Sequence, residues 1–219
     1  PINNHSYHIA FRDAVKTNPK IESVGESEEH IGRSSFNRSV EYQNVRYEVS
    51  ILDIGDDYFQ TMGMKLIDGR ELVPELAETD KEKSIIINTK FIEEYGIQNP
   101  LGQRVMMDDT IPLESVGVMD NIYLYGVWSK IEPMILRRGV NERMRILAIR
   151  ASEENLKDVN QFLENEWKEL IPNHPYSGFF QDDLMDEGRE INKNIKNIYI
   201  FLAFIATILS AIGLYTLVS

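Results

Sequence analysis

The sequence predicts an α+β fold in which one α/β unit is split by an inserted strand-rich unit and followed by a long C-terminal helix. Three observations carry this. The two ends of the polar part read as helix–strand and strand–helix–strand, while the middle is strand-rich with one short helix. Polar, turn-rich stretches border the middle. Finally, the last 23 residues, 197–219, contain no charged side chain and follow the strongly polar run DEGREINKNIKN. At about 1.5 Å of rise per residue, roughly 20 such residues cross the hydrocarbon core of a bilayer. A transmembrane helix is therefore expected over 197–219, with the rest of the chain against one membrane face. The alternatives are a buried helix of a soluble protein or a C-terminal tail anchor, but about 18 or more uncharged residues in a row are rare in soluble cores. Ala206, Ser210 and Gly213 form a small-residue stripe of the kind that lets membrane helices approach closely. Ending at Ser219, the chain reads as a piece of a longer membrane protein.

Each element has its own signal. Tyr7, Phe11, Ala14 and Val15 recur at helical spacing over 6–18, and Asn18-Pro19 stops that helix. Ile21–Val24 reads as a short strand, and 25–44 as a polar, mobile loop. Tyr47, Val49 and Ile51 alternate in a strand over 47–54. A short helical turn follows from Asp56 to near Gly63, then an extended 64–67 and a turn at Asp68-Gly69-Arg70. Residues 71–83 form a charged loop. The run Ser84-Ile85-Ile86-Ile87 marks a strand buried on both faces. Asn88 caps a helix carrying Phe91, Ile92 and Tyr95, which Gly96 closes. A turn at 99–102 precedes a hairpin of 103–107 with 113–119 around Asp108-Asp109-Thr110. Residues 145–150 form a strand. Ser152 caps an amphipathic helix with Leu156, Val159, Leu163, Trp167 and Leu170 on one face, and 176–181 is a last strand.

Composition narrows the function. The 219 residues carry a net charge of −12 and no cysteine. Nucleic acid and an anionic lipid surface held by a polybasic patch are poor partners for such a chain. Disulfides, thiolate metal sites and cysteine nucleophiles are excluded. The juxtamembrane stretch lacks the Lys/Arg excess of a cytoplasmic flank, which favours the other side of the membrane.

From Leu184 the apolar and small positions are Leu184, Gly188, Ile191, Ile195, Ile198 and Leu202. Spacings of three and four alternate, which is a heptad seam. No proline or turn cluster interrupts 184–219, so one continuous helix is expected, its upper part (184–196) a stalk clear of the membrane. Packing of this stripe on its own domain is the alternative to a helix–helix contact.

No enzyme chemistry is visible. The chain has no Gly-Lys-Ser/Thr phosphate loop, no G-x-S-x-G elbow and no H-E-x-x-H. His5 and His8 could share a helix face but read as surface residues rather than metal ligands, while His30 and His174 read as isolated. The pairs Asp56-Asp57, Asp108-Asp109 and Asp182-Asp183 fit turns and helix starts. No cofactor is expected.

The middle of the chain carries a resemblance. Asp57-Tyr58-Phe59, Gly63 and Gly69-Arg70 resemble the D-Y-F-x-x-x-G-x-x-x-x-x-G-R signature of the MacB-like periplasmic domain, found in ABC transporter permeases of the MacB/FtsX/LolCE type. In order, Ile85-Ile86-Ile87-Asn88 with Phe91 and Tyr95-Gly96, then Asn99-Pro100-Leu101-Gly102-Gln103, then Val116-Gly117-Val118-Met119-Asp120 and Glu132-Pro133 resemble later segments of that domain. The terminal span is similar to the first helix of the FtsX-type permease module, and the whole resembles the second such domain of large Bacteroidota-type permeases. Residues 25–44 and 121–144 match poorly.

The resemblance implies a porter-like subdomain (1–46 and 126–183) split by a Sabre-like subdomain (47–125), a stalk helix (184–196) and a transmembrane helix (197–219). It implies a permease subunit of the bacterial inner membrane, its soluble part in the periplasm, that couples cytoplasmic ATP hydrolysis to periplasmic mechanotransmission or efflux. Implied partners are an ABC ATPase subunit, a second permease copy, a periplasmic or outer-membrane protein or lipoprotein, and the bilayer through 197–219. Tyr58, Phe59, Gly63, Gly69, Arg70, Asn88, Pro100, Gly102, Gly117 and Asp120 would then be structural. The competing reading is a membrane-tethered extracytoplasmic sensor or ligand-binding ectodomain.

Overall fold

The structure, a computed structural model, describes residues 5–33, 36–72, 83–124 and 129–218; at 36, 185–192, 194 and 209–218 only the backbone is described. In chain order the elements are α1 (His5–Val15), β1 (Ile21–Ser27), β2 (Phe36–Tyr42), β3 (Val45–Ile54), α2 (Tyr58–Thr61), β4 (Leu66–Gly69) and β5 (Ser84–Asn88). There follow α3 (Thr89–Tyr95), β6 (Arg104–Met107), β7 (Ile111–Met119), β8 (Met134–Arg138), β9 (Ile146–Ala151), α4 (Leu156–Leu170) and α5 (Gln181–Val218).

The two ends of the domain meet. β1 pairs antiparallel with β9, and α1 and α4 cover the pair. Phe11 and Val15 from α1, Val24 from β1, and Val159, Leu163, Trp167 and Ile171 from the α4 region form one core. Each such side chain, fully buried, contributes about 1.5–3 kcal/mol. Phe11 stands edge-on to Trp167 at 5.3 Å. One turn before Phe11, on the same face, α1 buries His8, whose Nε2 lies 2.8 Å from Glu26 Oε1. The expected surface histidine is therefore a core residue, its Nε2 satisfied by the carboxylate of β1 while Nδ1 has no hydrogen-bond partner among the described residues. Burial opposes ionisation of Glu26, but His8 and Arg12 outweigh it and hold the carboxyl below its ordinary value.

Between these ends, β2 to β8 build a ring. The order β2-β6-β7-β5-β8-β3 closes through a further β2–β3 pairing, and β4 adds to β7 outside the ring. Closure removes exposed strand edges. All six ring strands contribute to one core, from Val40 and Val49 to Leu113 and Ile135, with Phe91, Tyr95 and Ile97 of the α3 region. The alternate residues Leu52, Ile54, Ile86, Met134 and Leu136 face a second core with Tyr58 and Phe59 of α2, Ile31, Leu124 and Ala148 of β9. That second core binds the ring to the end unit.

Several expectations need correction. Among the described residues all nine strands form one hydrogen-bonded network, joined at the single pair Ser27↔Ile54, so the two units do not own separate sheets. The cause is the length of β3. Its ten residues outrun the seven of β2: Ser50–Ile54 pair with β8 on one side, and on the other, past Ile51, the last residue to face β2, Ile54 reaches Ser27 of β1. The expected loop 25–44 contains the end of β1 and all of β2; Gln43 and Asn44, with φ of 51° and 63°, make the two-residue hairpin turn to β3. β8 was not anticipated. Asp68 and Gly69 lie in β4 rather than a turn, paired with Val118 and Gly117. The Ser152 side chain does not cap a helix: its Oγ accepts from Asn155 Nδ2 and a 3-10 turn precedes α4. No strand forms over 176–181. Trp167 Nε1 donates to the His174 carbonyl and Tyr176 Oη donates to Asn160 Oδ1, which draws the segment onto α4 and away from β9. Residues 73–82 of the charged loop lie outside the described residues.

Other expectations hold. β5 is buried throughout. Asn88 caps α3, Gly96 ends it at φ 64°, and Asp108-Asp109 turn the β6–β7 hairpin. The helix expected from 184 begins at Gln181 and runs unbroken for 38 residues. Among the described residues no helix is long and apolar enough to cross a membrane, and the side chains of 209–218, within the expected span, lie outside them.

Candidate functional site

The motif residues occupy three places. At the first, Asp57 turns the chain at φ 59° into α2, and Tyr58 and Phe59 enter the second core. α2 rests directly on β1, since a Cβ at Gly25 would stand 2.8 Å from Tyr58 N. Gly63, at φ 65°, leaves room for Arg150 of β9, whose Nη2 would lie 2.7 Å from a Cβ there; Arg150 Nε donates to the Thr61 carbonyl. Tyr58, Phe59 and Gly63 thus bind α2 to both units.

The second place is the β4–β7 crossing. Gly69 lies opposite Gly117, a Cβ on either would overlap facing backbone, and Arg70 N donates to the Val116 carbonyl. Arg70 Nη1 also donates to the Glu71 carbonyl. The Pro100–Gly102 turn lies over this crossing: the Leu101 methyl would touch a Cβ on Gly69, and Gly102 N donates to the Ser115 carbonyl. The third place is Asn88, fully buried. Its Oδ1 accepts from Phe91 N and Met134 N, and its Nδ2 donates to the Glu132 carbonyl. Nearby, Asp120 N donates to the Lys65 carbonyl and Asn121 Oδ1 accepts from Lys90 N. The three places are separate, and their contacts are backbone-fixing ones.

A fourth place was not read from the sequence: the junction where α5 leaves the domain. Gln181, the first residue of α5, meets His30 with Oε1 2.7 Å from Nε2. Its Nε2 donates to the Ile31 carbonyl at 3.2 Å. His30 Nδ1 in turn lies 3.0 Å from Tyr58 Oη. Phe179 packs edge-on against His30, with the Arg33 guanidinium 4.3 Å above the Phe179 ring. Beside them Arg145 pairs with Glu29 and donates to the Glu28 carbonyl. Burial pushes the pKa of His30 down; the Gln181 contact opposes this and the Arg33 charge adds to it. Burial also pushes the Tyr58 phenol well up, so both groups stand neutral. His30 is thus not isolated, but no sequence signal could reveal it, because its partner is 151 residues away.

Next to the junction a cleft of roughly 210 Å³ separates β9 and α4 from residues 176–181; Leu147, Ile149, Leu163, Trp167 and Phe179 are among its walls. Of the stalk seam, Leu184 is half-buried, whereas Ile195, Ile198 and Leu202 are exposed at 43, 58 and 53%. Gly188 and Ile191 fall where only the backbone is described. Among the described residues no group of three or more His, Asp or Glu is arranged to hold a metal.

The architecture has solved counterparts. The crystal structure of the periplasmic region of MacB from Actinobacillus actinomycetemcomitans superposes with a TM-score of 0.60 at 18% identity, covering 86% of this chain and 82% of that one. The chain has the fold of a MacB-like periplasmic domain. The extracellular domain of the noncanonic ABC-type transporter YknZ from Gram-positive bacteria shares this MacB-like fold, with a TM-score of 0.55 and 16% identity over 73% of this chain and 81% of that one. In sequence, the macrolide export ATP-binding/permease protein MacB 2 of Aeromonas hydrophila is 35% identical over 80 residues. That stretch is 36% of this MacB-like chain and only 12% of the Aeromonas protein. No protein-family model matches the chain.

Proposed function

We propose that this chain is the periplasmic domain of an ABC transporter permease subunit, and that it couples cytoplasmic ATP hydrolysis to movement or efflux on the periplasmic side. The observation that carries this reading is α5. It starts at a residue hydrogen-bonded into the domain and continues without a break for 38 residues. A helix with no flexible linker at its base can move a domain as a lever. From Ile198 the described side chains are apolar apart from Thr207, whose hydroxyl donates to the Ala203 carbonyl, and they are exposed on every face, Tyr199, Phe201 and Phe204 as much as Ile198 and Leu202. A helix apolar all round needs lipid or protein about it, which supports a bilayer span over 197–219. The exposed seam positions support packing against a stalk helix of a second permease copy. The ring of β2 to β8 supports a Sabre-like insertion, wider than the expected 47–125 because it takes in β2 and β8, and the α1–β1–β9–α4 unit supports a porter-like subdomain.

In this reading ATP is hydrolysed on a separate nucleotide-binding subunit or domain, the soluble part lies in the periplasm of the inner membrane, and a periplasmic or outer-membrane protein receives the motion. Gly69, Arg70 and Gly102 serve the backbone rather than a ligand. The test is insertion of three or four glycines after Lys193 in the whole permease. ATP hydrolysis is expected to persist while transport or signalling is lost; full function in the insertion variant would reduce the stalk to a tether. The cleft beside β9 favours a second reading, a ligand-sensing ectodomain. Ligand binding abolished by Leu163→Trp, together with function that survives the glycine insertion, would favour that reading.

A further inference from the structure

We propose that Tyr58, His30 and Gln181 form a proton-sensitive latch that holds the base of α5 to the domain at neutral pH and releases it when His30 is protonated. The polarity of the chain follows from one end. Gln181 Nε2 donates to the Ile31 carbonyl, so the amide is oriented with Oε1 toward His30. An acceptor opposite Nε2 requires a proton on that nitrogen. In a neutral ring Nδ1 is then the acceptor, and the Tyr58 hydroxyl donates to it. Tyr58 is fully buried and His30 nearly so.

A second proton on the ring breaks this order. It sits on Nδ1, facing the oxygen of a hydroxyl whose own hydrogen already points there. The phenol hydrogen must then turn from Nδ1 to the Ser27 hydroxyl of β1, the other side chain within hydrogen-bonding reach of Tyr58. The new cation also lacks a counter-ion in contact. Facing it are Tyr58 of α2, Gln181 of α5, Phe179 and the cationic Arg33; the neighbouring Glu29 carboxylate is engaged by Arg145, and Glu28 also lies beside Arg145. Moving residues 179–181 outward hydrates the imidazolium.

The sign follows from linkage. His30 is lowered from its ordinary value of about 6.5, so the folded, latched state binds fewer protons than the open one. The latch is fully closed above about pH 6.5 and weakens progressively as pH falls below it. The latch itself stands on this chain's geometry; only its use in gating the stalk rests on the permease reading above.

The test uses the 219-residue chain in detergent micelles. Backbone amide exchange over 177–184, corrected for intrinsic rates, is measured at about pH 7.5 and about pH 5.5. Protection is expected to fall several-fold at the lower pH. In His30→Gln the protection no longer depends on pH. Imidazole NMR of the wild type at neutral pH reads the tautomer directly and does not depend on the variant folding; a proton on Nε2 is expected. In Tyr58→Phe the loss of the donor to Nδ1 raises the His30 pKa. Equal protection at both pH values, an undiminished pH effect in His30→Gln, or a proton on Nδ1 would each overturn the latch. None of these readouts involves transport, so they fail or succeed independently of the glycine-insertion test.

Discussion

Asn88 illustrates how much one side chain organises. Its cap on Phe91 N is a local bond, whereas its bonds to Met134 N and Glu132 O reach more than 40 residues along the chain. Asn88→Ala leaves two buried N–H donors and a carbonyl unpaired. At about 1–3 kcal/mol for each group truly orphaned, the expected loss of stability is about 3 kcal/mol or more. Urea unfolding checks it; a loss under about 1 kcal/mol, near the lower end of an ordinary cap's worth, would reduce Asn88 to that role. The cap was readable because Asn88 closes an apolar run and stands three residues before Phe91, the first of an apolar i, i+4 pair with Tyr95. The two long-range bonds were not, since nothing local records which loop arrives opposite. His8 and His30 make the same point: in the sequence one reads as a surface residue and the other as isolated, and each is buried against a partner on another element.

At the scale of elements, periodic patterns were read correctly where burial is one-sided or complete. β5 and the buried face of α4 are examples. β2 was missed because Asn37, Arg38 and Glu41 are polar, and only the ring gives Val40 and Tyr42 a core to face. The hairpin that defines β2 predicts its own test. Asn44 sits at φ 63°, a conformation that β-branched residues avoid. Asn44→Val is therefore expected to cost about 1–2 kcal/mol, even though valine favours strands, while Asn44→Gly is near neutral. Equal urea midpoints for the two variants would argue against this turn. Residues 176–180 fail in the opposite direction. They have strand-like composition, yet the anchoring of Tyr176 on Asn160 outweighs pairing with β9.

Across the whole molecule, the end unit and the ring share one sheet and a common core. Ala148 of β9 packs with Leu52, Ile86 and Leu136 of the ring, and Arg150 reaches the Thr61 carbonyl. The two units should therefore unfold together. Trp167 reports on the end unit, and replacing the other tryptophan, Trp128, by phenylalanine makes that report specific. Asn88→Ala in the ring is expected to move the Trp167 fluorescence transition and the far-UV circular dichroism transition to the same lower urea concentration. A Trp167 transition that stays in place would show that the units fold separately.

The sequence by itself determined the α+β class, the buried β5 strand, the cap at Asn88 and the unbroken helix from the 180s onward. These features rest on short-range regularities: periodicity, capping residues, turn chemistry and the absence of breakers. Only the tertiary structure decided that the inserted strands close into a ring, that β3 stitches both units into one sheet, and that His30 holds the base of α5. Those outcomes depend on which distant backbone groups and side chains must satisfy one another once water is excluded. A one-dimensional pattern carries no record of that pairing.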